Sequence, residues 1–339
     1  MSGAILEVIN LSKHFHRPRT LLSPLNRRSD VIPAVDKVSF YLRPNETMGL
    51  VGESGCGKTT VGRSVLRLLK PTSGNVIFDG RDITHYSDNE LRPLRKDMQM
   101  IFQDLDAGLN PKMRVEDIIS EAICVYGKLS DAEVRVKSHA LLDQVNLKYS
   151  KLTSYPAELS GGEKRRVGIA RMLAVGARLI VADEPTSALD VSIQAQVVNL
   201  LRDLQKQLGL SYLFISHDLQ VVELMSHKVA VMYLGKIVEM GLTERVSGAA
   251  RHPYTYILWS SLVEKQSHEA PRPARPDRRA SSWGVYDFER PSRGCRFAPR
   301  CPVYQSLGRP AECTDPDNEP QLRDVGEGHQ VACHFPLIS

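Results

Sequence analysis

Residues 52–59 have the sequence Gly-Glu-Ser-Gly-Cys-Gly-Lys-Thr, a spacing of glycines, lysine and hydroxyl that can bind phosphate. They follow an apolar run at 47–51 and precede a helix-like stretch, which argues against a chance glycine-rich turn. Backbone N–H groups and a helix N-terminus supply partial positive charge to phosphate oxygens. We expect Lys58 to reach the β- and γ-phosphates of a nucleotide and Thr59 to bind Mg²⁺. The other residues expected in this phosphate loop are Gly52, Ser54, Gly55, Cys56, Gly57 and Thr60.

Asp183 and Glu184 end the apolar run LIVAD at 179–183, which is typical of a strand covered on both faces. A carboxylate at such a strand end can complete a Mg²⁺ coordination shell, and the next one can orient an attacking water. Taken alone, the pair is explained equally well as two acidic residues that merely end a strand. Together with the phosphate loop it indicates phosphoryl-transfer chemistry, with Asp183 on Mg²⁺.

A pair of glycines, Gly161 and Gly162, opens a predicted helix at 163–175. Ser160 and Glu163 flank them at the spacing of a capping box, which is a structural role. The capping box does not account for two consecutive glycines. Their backbone N–H groups at a helix N-terminus can also bind an anion. On the residues alone both interpretations remain open.

Four of the six cysteines, Cys295, Cys301, Cys313 and Cys333, lie in the C-terminal part of the chain. In a reducing compartment such a group indicates a metal centre more than disulfides. Their spacing is looser than the paired C-x₂-C units of most structural zinc sites. Four thiolates suit either Zn²⁺ or a [4Fe–4S] cluster. Free or disulfide-bonded thiols are the remaining alternative.

The composition is that of a globular protein with about two domains, at roughly 150 residues per domain. The chain has 339 residues, of which 42% are hydrophobic and 24% charged, and this excludes a disordered or collagen-like chain. No apolar run approaches the roughly 18 residues of a membrane-spanning helix. The N-terminal residues lack the basic and apolar regions of a secretory signal, so we expect the cytoplasm. The net charge of +5 does not by itself indicate nucleic acid.

The elements that must position these residues alternate between strand and helix. The predicted strands and the hairpin are 5–9, 38–42, 47–51, 179–183, 212–216 and the residues around Gly235. A helix after the phosphate loop buries Val61, Val65, Leu68 and Leu69 and ends at Pro71. Another spans 192–208 and stops at Gly209. Residues 88–175 are mostly helical, and 17–33 and 264–300 are irregular. This order predicts an α/β core with a helical insertion.

The motifs together resemble ABC-type ATPase subunits over about residues 5–250. The phosphate loop, LSGG at 159–162, VADEP at 181–185, SALD at 187–190 and SHD at 216–218 occur in that family's order. The resemblance implies a P-loop NTPase cassette with a RecA-like core, an antiparallel β subdomain and a helical subdomain at about 88–175. It also implies a head-to-tail dimer. Each ATP then lies between one phosphate loop and the partner's signature, Ser160, Gly161, Gly162 and Glu163.

The same resemblance assigns roles to single residues. Gln103 matches the glutamine that touches Mg²⁺ and senses the transport partner, and Glu184 matches the catalytic carboxylate. His217 matches the histidine that holds the γ-phosphate, and Asp190 the residue that couples the two sites. Phe15 stands where an aromatic ring stacks on adenine. The structural alternatives are that His217 is merely a histidine that follows a strand, and that Phe15 is an aromatic residue at the end of a strand. The expected catalytic residues are Lys58, Gln103, Glu184 and His217, and the expected Mg²⁺ ligands are Thr59, Gln103 and Asp183.

Longer stretches resemble the ATPases of oligopeptide/dipeptide importers, a group that also includes transporters of nickel and glutathione. They include MIFQDLDAGLNP, RHPYTYILWSSL and GCRF-x-x-RCP. The resemblance implies an ABC domain at 1–250, a cysteine-containing extension at 251–339, and a [4Fe–4S] cluster in preference to Zn²⁺. It implies ATP-driven uptake of peptides or a related solute at the cytoplasmic face of the inner membrane. The implied partners are a paralogous ATPase, two permease subunits and, indirectly, an external solute-binding protein.

Glu163 departs from this family, which commonly has Gln there, so its contact with nucleotide is open. The rival function is a soluble ABC ATPase that acts on nucleic acid or ribosomes. Such proteins tend to carry two cassettes or long insertions, and the stretch between Lys58 and Ser160 leaves room only for an ordinary helical subdomain. Arginines at 17–30 and 272–300 could contact phosphates, but a solvated or lipid-facing surface is favoured and no nucleic-acid partner is expected. An inactive subunit is disfavoured by the intact motifs.

Overall fold

The structure is a computed structural model, and it describes residues 3–16, 31–102, 108–187, 189–266 and 294–337. The chain divides into two compact units, each assembled from three stretches. Unit 1 consists of Met1–Ile9, Phe40–Thr47 and Gly62–Ser216. Unit 2 consists of Asn10–Ser39, Met48–Val61 and His217–Ser339.

The strands within the described ranges are β1 (Leu6–His16), β2 (Val31–Leu42), β3 (Thr47–Val51), β4 (Ser73–Phe78), β5 (Arg81–Asp82), β6 (Met98–Ile101), β7 (Leu179–Asp183), β8 (Ser211–Ile215), β9 (Lys228–Tyr233), β10 (Lys236–Leu242), β11 (Arg323–Asp324) and β12 (Gln330–Val331). The α-helices in the same ranges are α1 (Lys58–Val65), α2 (Asp88–Leu91), α3 (Val115–Cys124), α4 (Asp131–Gln144), α5 (Gly161–Ala174), α6 (Val191–Leu208), α7 (Leu219–Met225), α8 (Thr243–Gly248), α9 (Pro253–Gln266) and α10 (Pro302–Ser306).

Unit 1 contains a parallel sheet and a group of helices. Strands β6, β7 and β8 are parallel neighbours, and every residue of β7 and β8 is buried. A strand buried on both faces is expected to be a continuous apolar run, as β7 is. Helices α3, α4 and α5 pack against one another. Strands β4 and β5 pair antiparallel, with Ile77 opposite Asp82.

Unit 2 contains strands β11, β12, β10, β9 and β3 in that order. Strand β3, which leads into the phosphate loop, runs parallel to β9, and β9 turns back antiparallel into β10. Strand β12 pairs antiparallel with β10, with Glu239 opposite Val331. The last part of the chain therefore extends the sheet that carries the phosphate loop.

The predicted α/β class is confirmed, and so are most predicted elements. Strand β7 has the predicted bounds, and α6 ends at Gly209, whose φ is 66°. The helix after the phosphate loop was predicted too long. It ends at Val65 because Arg67 has a left-handed φ of 55°, and Leu68 is 47% exposed instead of buried. The mostly helical stretch 88–175 also contains strand β6.

Among the residues that the structure describes, none of the helices combines the length and apolar character that a membrane span requires. The predicted irregular stretches at 17–33 and 264–300 lie largely outside the described residues.

Candidate active site

The phosphate loop in unit 2 requires glycine for two separate reasons. Gly52, Gly55 and Gly57 have φ values of 149°, 77° and 111°, a region that other residues rarely adopt. A Cβ atom on Gly52 would lie 2.1 Å from the carbonyl oxygen of Met232. A Cβ atom on Gly57 would lie 2.2 Å from the carbonyl oxygen of Ala34. The loop is thus fitted against backbone at both ends.

Lys58 begins α1, and its side chain is only 5% exposed. Its Nζ donates to the carbonyl oxygens of Gly52, at 2.8 Å, and of Glu53, at 2.9 Å. The ammonium group therefore lies inside the loop. The thiol of Cys56 is also buried, and burial raises its pKa, so it is a packing residue and not a nucleophile.

In unit 1, Asp183 is buried at the carboxyl end of β7, opposite Ile215. Glu184 follows with a left-handed φ of 49°, which is a strained conformation for a residue with a side chain. Its N–H donates to the carbonyl oxygen of Ile215 at 2.9 Å. Its own carbonyl oxygen accepts from the N–H of Ser187 at 3.1 Å and from the hydroxyl at 3.0 Å. The fold thus maintains a sharp turn directly after the strand.

The helix α5 begins with the predicted capping box. The N–H of Glu163 donates to Ser160 Oγ at 3.3 Å, and the N–H of Ser160 donates to Glu163 Oε2 at 2.9 Å. The N–H of Ser160, together with Lys151 at 3.0 Å, lowers the pKa of Glu163. Nothing lies within 4 Å of a Cβ built on Gly161, which is exposed. The structural interpretation of this motif is confirmed, and its second role as an anion site stays a prediction.

Asp190 caps α6. Its Oδ1 accepts from the N–H of Ile193 at 2.9 Å and from the hydroxyl of Ser192 at 2.7 Å. These donors, the N–H of Ile193 above all, lower the pKa of Asp190. The carboxylate is exposed and positioned by its own helix. Its predicted role in coupling two ATP sites stays a prediction.

His217 and Phe15 belong to unit 2, and both are exposed. His217 directly precedes Asp218, the N-cap residue of α7. Phe15 lies near the end of β1, 39% exposed, with Lys13 Nζ 5.4 Å from its ring centroid. Gln103 lies outside the described residues. The predicted functions of these residues remain predictions.

The predicted residues thus fall into two groups, each described within its own unit. Unit 2 holds the phosphate loop with Phe15 and His217, and unit 1 holds the signature, Asp183, Glu184 and Asp190. Sequence reasoning missed two residues that contact the phosphate loop, Tyr254 and Arg300. Tyr254 stands in the stretch RHPYTYILWSSL and Arg300 in GCRF-x-x-RCP, but nothing local in either stretch indicates a contact with the loop.

The four C-terminal cysteines line one small cavity of about 10 Å³, together with Phe297 and Phe335. Burial is the main cause that raises the pKa of Cys313 to about 11 and the pKa of Cys333 to about 12. The neighbouring cysteines act in the same direction on both thiols. In the part of the chain that the structure describes, no group of three or more His, Cys, Asp or Glu side chains is arranged to hold a metal ion. The expectation of a formed metal site is therefore not met among these residues, although the four thiols line one cavity with aromatic rings.

Two family models match the chain, the ABC transporter model at residues 35–187 and the C-terminal region of oligopeptide/dipeptide transporters at 238–306. The oligopeptide transport ATP-binding protein AppF of Bacillus subtilis (strain 168) is 41% identical, over 98% of this chain and 97% of its own. The chain belongs to the ATP-binding subunits of oligopeptide/dipeptide ABC transporters. OppF of the same organism, also an oligopeptide transport ATP-binding protein, is 46% identical over 77% of this chain and 83% of its own length.

Solved structures agree on the cassette fold of this ABC transporter subunit. The structure of cbiO1 from Clostridium perfringens, part of the ABC transporter complex cbiONQ, matches with a TM-score of 0.64 and 28% identity, over 73% of this chain and 92% of its own. The ATP-binding cassette MJ0796, solved as a dimer bound to ADP and Pi, matches with a TM-score of 0.61 and 26% identity, over 70% of this chain and 98% of its own. As an ABC transporter subunit, the chain is an ATPase.

Proposed function

We propose that this chain binds and hydrolyses ATP at a head-to-tail dimer interface and thereby drives uptake of peptides, or a related small solute, through separate permease subunits. The observation that carries the proposal is the buried Lys58 inside a glycine loop that leads into α1. The peptide-transport names of AppF and OppF and the C-terminal region match support the solute class.

Within the site, Lys58 and the loop backbone stabilise the charge of the transferring phosphoryl group. Glu184 polarises the attacking water, and His217 holds the γ-phosphate. The strained backbone of Glu184 supports its assignment, because such strain tends to persist at functional residues. The oxygens of Thr59, Asp183 and Gln103 would hold Mg²⁺, which offsets phosphate charge when bound.

The remaining nucleotide contacts come from the partner ATPase, which we take to be a paralogue. Its signature, equivalent to Ser160, Gly161, Gly162 and Glu163, closes over ATP, while Asp190 couples the two sites and Phe15 stacks on adenine. The exposed N-terminus of α5 supports the signature assignment, since helix N-termini bind anions. The domain division at residue 250 also belongs to this proposal.

A groove in unit 1 supports docking of a permease segment. It has a volume of about 400 Å³ and is lined by Met100, Phe102, Ala122, Val125 and Arg171, among others. Phe102 is 43% exposed and Val125 57%, so the groove presents apolar surface. Exposed apolar patches mark interaction sites. A permease bound here would hold the chain at the cytoplasmic face of the membrane, with a solute-binding protein acting indirectly from outside.

The test is reconstitution in vesicles of this chain with a candidate partner ATPase, permeases and solute-binding protein. Labelled peptide should accumulate only with hydrolysable ATP, and peptide-loaded binding protein should stimulate ATP hydrolysis. Membrane association should depend on co-expressed permeases. Stable binding of the isolated chain to ribosomes, or stimulation of its ATPase by nucleic acid without any transport, would favour the alternative function.

We further propose that Cys295, Cys301, Cys313 and Cys333 hold a [4Fe–4S] cluster. Support comes from their shared cavity, since four thiolates suit such a cluster. Anaerobically purified protein should be brown with about four irons per chain. Stoichiometric zinc would overturn the cluster, and four alkylatable thiols without metal would overturn the centre.

A further inference from the structure

Glu53, the second residue of the phosphate loop, forms a two-pronged ion pair with Arg300. The Nη1–Oε2 and Nη2–Oε1 distances are both 2.9 Å. Arg300 directly precedes Cys301, so it belongs to residues 294–337, the cysteine-containing segment. Paired hydrogen bonds between a guanidinium and a carboxylate are strong and geometrically specific. The cysteine-containing segment thus contacts the side chain of a phosphate-loop residue.

Tyr254 of α9 contacts the same loop residue through the backbone. The N–H of Glu53 donates to the hydroxyl oxygen of Tyr254 at 2.9 Å, and Tyr254 is only 1% exposed. The carbonyl oxygen of Glu53 accepts from Lys58 Nζ. One residue therefore connects the phosphate-binding lysine to both C-terminal side chains.

These two contacts are packed together by aromatic rings. Phe297, 2% exposed, lies with its ring centroid 5.4 Å from that of Tyr254 and 5.2 Å from that of Tyr233. The guanidinium of Arg300 lies 5.8 Å from the Tyr233 centroid. A displacement of the segment that carries Phe297 would disturb Tyr254 and Arg300 together, because close-packed interiors transmit strain.

A second route reaches the other end of the loop. Arg296 pairs with Asp36 and donates to the carbonyl oxygen of Leu234. The N–H of Asp36 donates to the carbonyl oxygen of Gly235, and the N–H of Gly235 donates to that of Cys56 at 2.8 Å. The cysteine-containing segment is therefore attached at both the beginning and the end of the phosphate loop.

We propose that Arg300 and Tyr254 are positioning residues for the phosphate loop, so that the ATP affinity of this chain depends on the cysteine-containing segment being folded against it. Arg300 offsets a carboxylate that would otherwise repel nucleotide phosphates. Tyr254 fixes the peptide group between Gly52 and Glu53 and so holds the carbonyl oxygen of Gly52 toward Lys58. The inference rests on the proposed phosphate-binding role of this loop.

The test measures the Kd of a fluorescent ATP analogue for the full chain. Arg300→Gln should weaken binding about tenfold, the scale of one charge-assisted hydrogen-bonding group. Combining it with Glu53→Gln should restore most of the lost affinity, because the unpaired carboxylate is then gone. Arg300→Lys, which keeps the charge but not the fork, should lie between Arg300→Gln and the unmodified chain. Arg309→Gln removes an exposed charge from the same segment and is the matched control.

If the role of Arg300 were purely structural, Arg300→Gln would lower thermal stability both with and without Glu53→Gln. The double variant would then not regain ATP affinity. Tyr254→Phe removes only the hydroxyl and should also weaken binding, with KM for ATP rising more than kcat falls. An unchanged Kd in Arg300→Gln, or an equal loss in the Glu53→Gln background, would overturn the inference. Lys58→Ala checks the site itself. If it leaves the Kd unchanged, the proposed phosphate site fails; if it weakens binding while Arg300→Gln does not, only this inference fails.

Discussion

The backbone N–H of Glu184 donates to the carbonyl oxygen of Ile215, so a residue with left-handed φ is anchored to the neighbouring parallel strand. This hydrogen bond does not involve the side chain. The carboxylate can therefore be changed chemically while the turn that positions it is retained. A Glu184→Gln substitution therefore tests the proposed mechanism while this backbone hydrogen bond can still form.

Glu184→Gln should retain ATP binding yet hydrolyse ATP at least about a hundredfold more slowly, the scale of a lost positioned base. It should also accumulate a closed dimer in the presence of ATP, visible by size-exclusion chromatography. Glu244→Gln changes an exposed acid in the first turn of α8 and serves as the control. Near-normal turnover of Glu184→Gln in the assembled transporter would remove its catalytic assignment.

Gly57→Ala should prevent formation of the native phosphate loop, because its Cβ would meet the carbonyl oxygen of Ala34 at 2.2 Å. Gly55 also has a positive φ, but a Cβ atom on it would meet no atom within 4 Å. Gly55→Ala should therefore cost only the about 1–2 kcal/mol of a left-handed backbone. ATP-analogue binding should therefore be lost in the first variant and reduced in the second. Equal binding by the two variants would show that backbone crowding does not shape this loop.

Ser160→Ala should lower the free energy of unfolding by about 1 kcal/mol, because it removes the N-cap acceptor of α5. If the signature also contacts ATP, hydrolysis by the dimer should fall far more than this stability loss explains. Ser130→Ala removes the equivalent cap of α4 and is the matched control for stability alone. Should the two variants hydrolyse ATP equally fast, Ser160 is only a helix cap.

His252 provides a pH-dependent contribution to stability. Burial lowers its pKa to about 4, below the usual 6.5, although the carboxylate of Glu239 acts in the opposite direction. The neutral form is therefore favoured in the folded chain, and its stabilisation is present above about pH 6.5 and lost as the pH falls through 4. Chemical denaturation between pH 7 and 4 should show this decline.

His252→Asn should flatten that acid dependence. The side-chain oxygen of the asparagine can replace Nδ1 of His252, which accepts from the N–H of Tyr254 at 3.0 Å. Asparagine does not titrate. An identical decline in the His252 variant would assign the acid sensitivity to other groups.

Local signals in the sequence predicted local structure well. The Ser130 and Ser160 capping boxes, the buried run of β7 and the end of α6 at Gly209 depend on residues within a few positions of one another. The predicted end of this helix at Pro71 was wrong, since α1 ends at Val65: Pro71 is a visible helix breaker in the sequence, and the left-handed Arg67 is not. Propensity gives no indication of such a conformation in an arginine.

Long-range pairing was beyond the sequence. Strand β12 has two residues and pairs with β10 through a register that no local pattern specifies. The ion pair of Arg300 with Glu53 joins residues 247 positions apart. Either residue alone is an ordinary charged side chain, and only the folded unit makes them partners. The phosphate loop was therefore predictable as a motif, whereas its supports were not.

Unit 2 is assembled from stretches that are far apart in the sequence, so the order of translation affects when its phosphate loop can form. The phosphate loop is translated early, but the strands and side chains that surround it include residues from His217 onward. A growing chain on the ribosome carries the loop without β9, α9 or Arg300 until those residues have been translated, and domains generally fold as units. A chain terminated before Arg300 would therefore lack one of the supports of its phosphate loop, and we expect such a chain to bind ATP more weakly than the full chain.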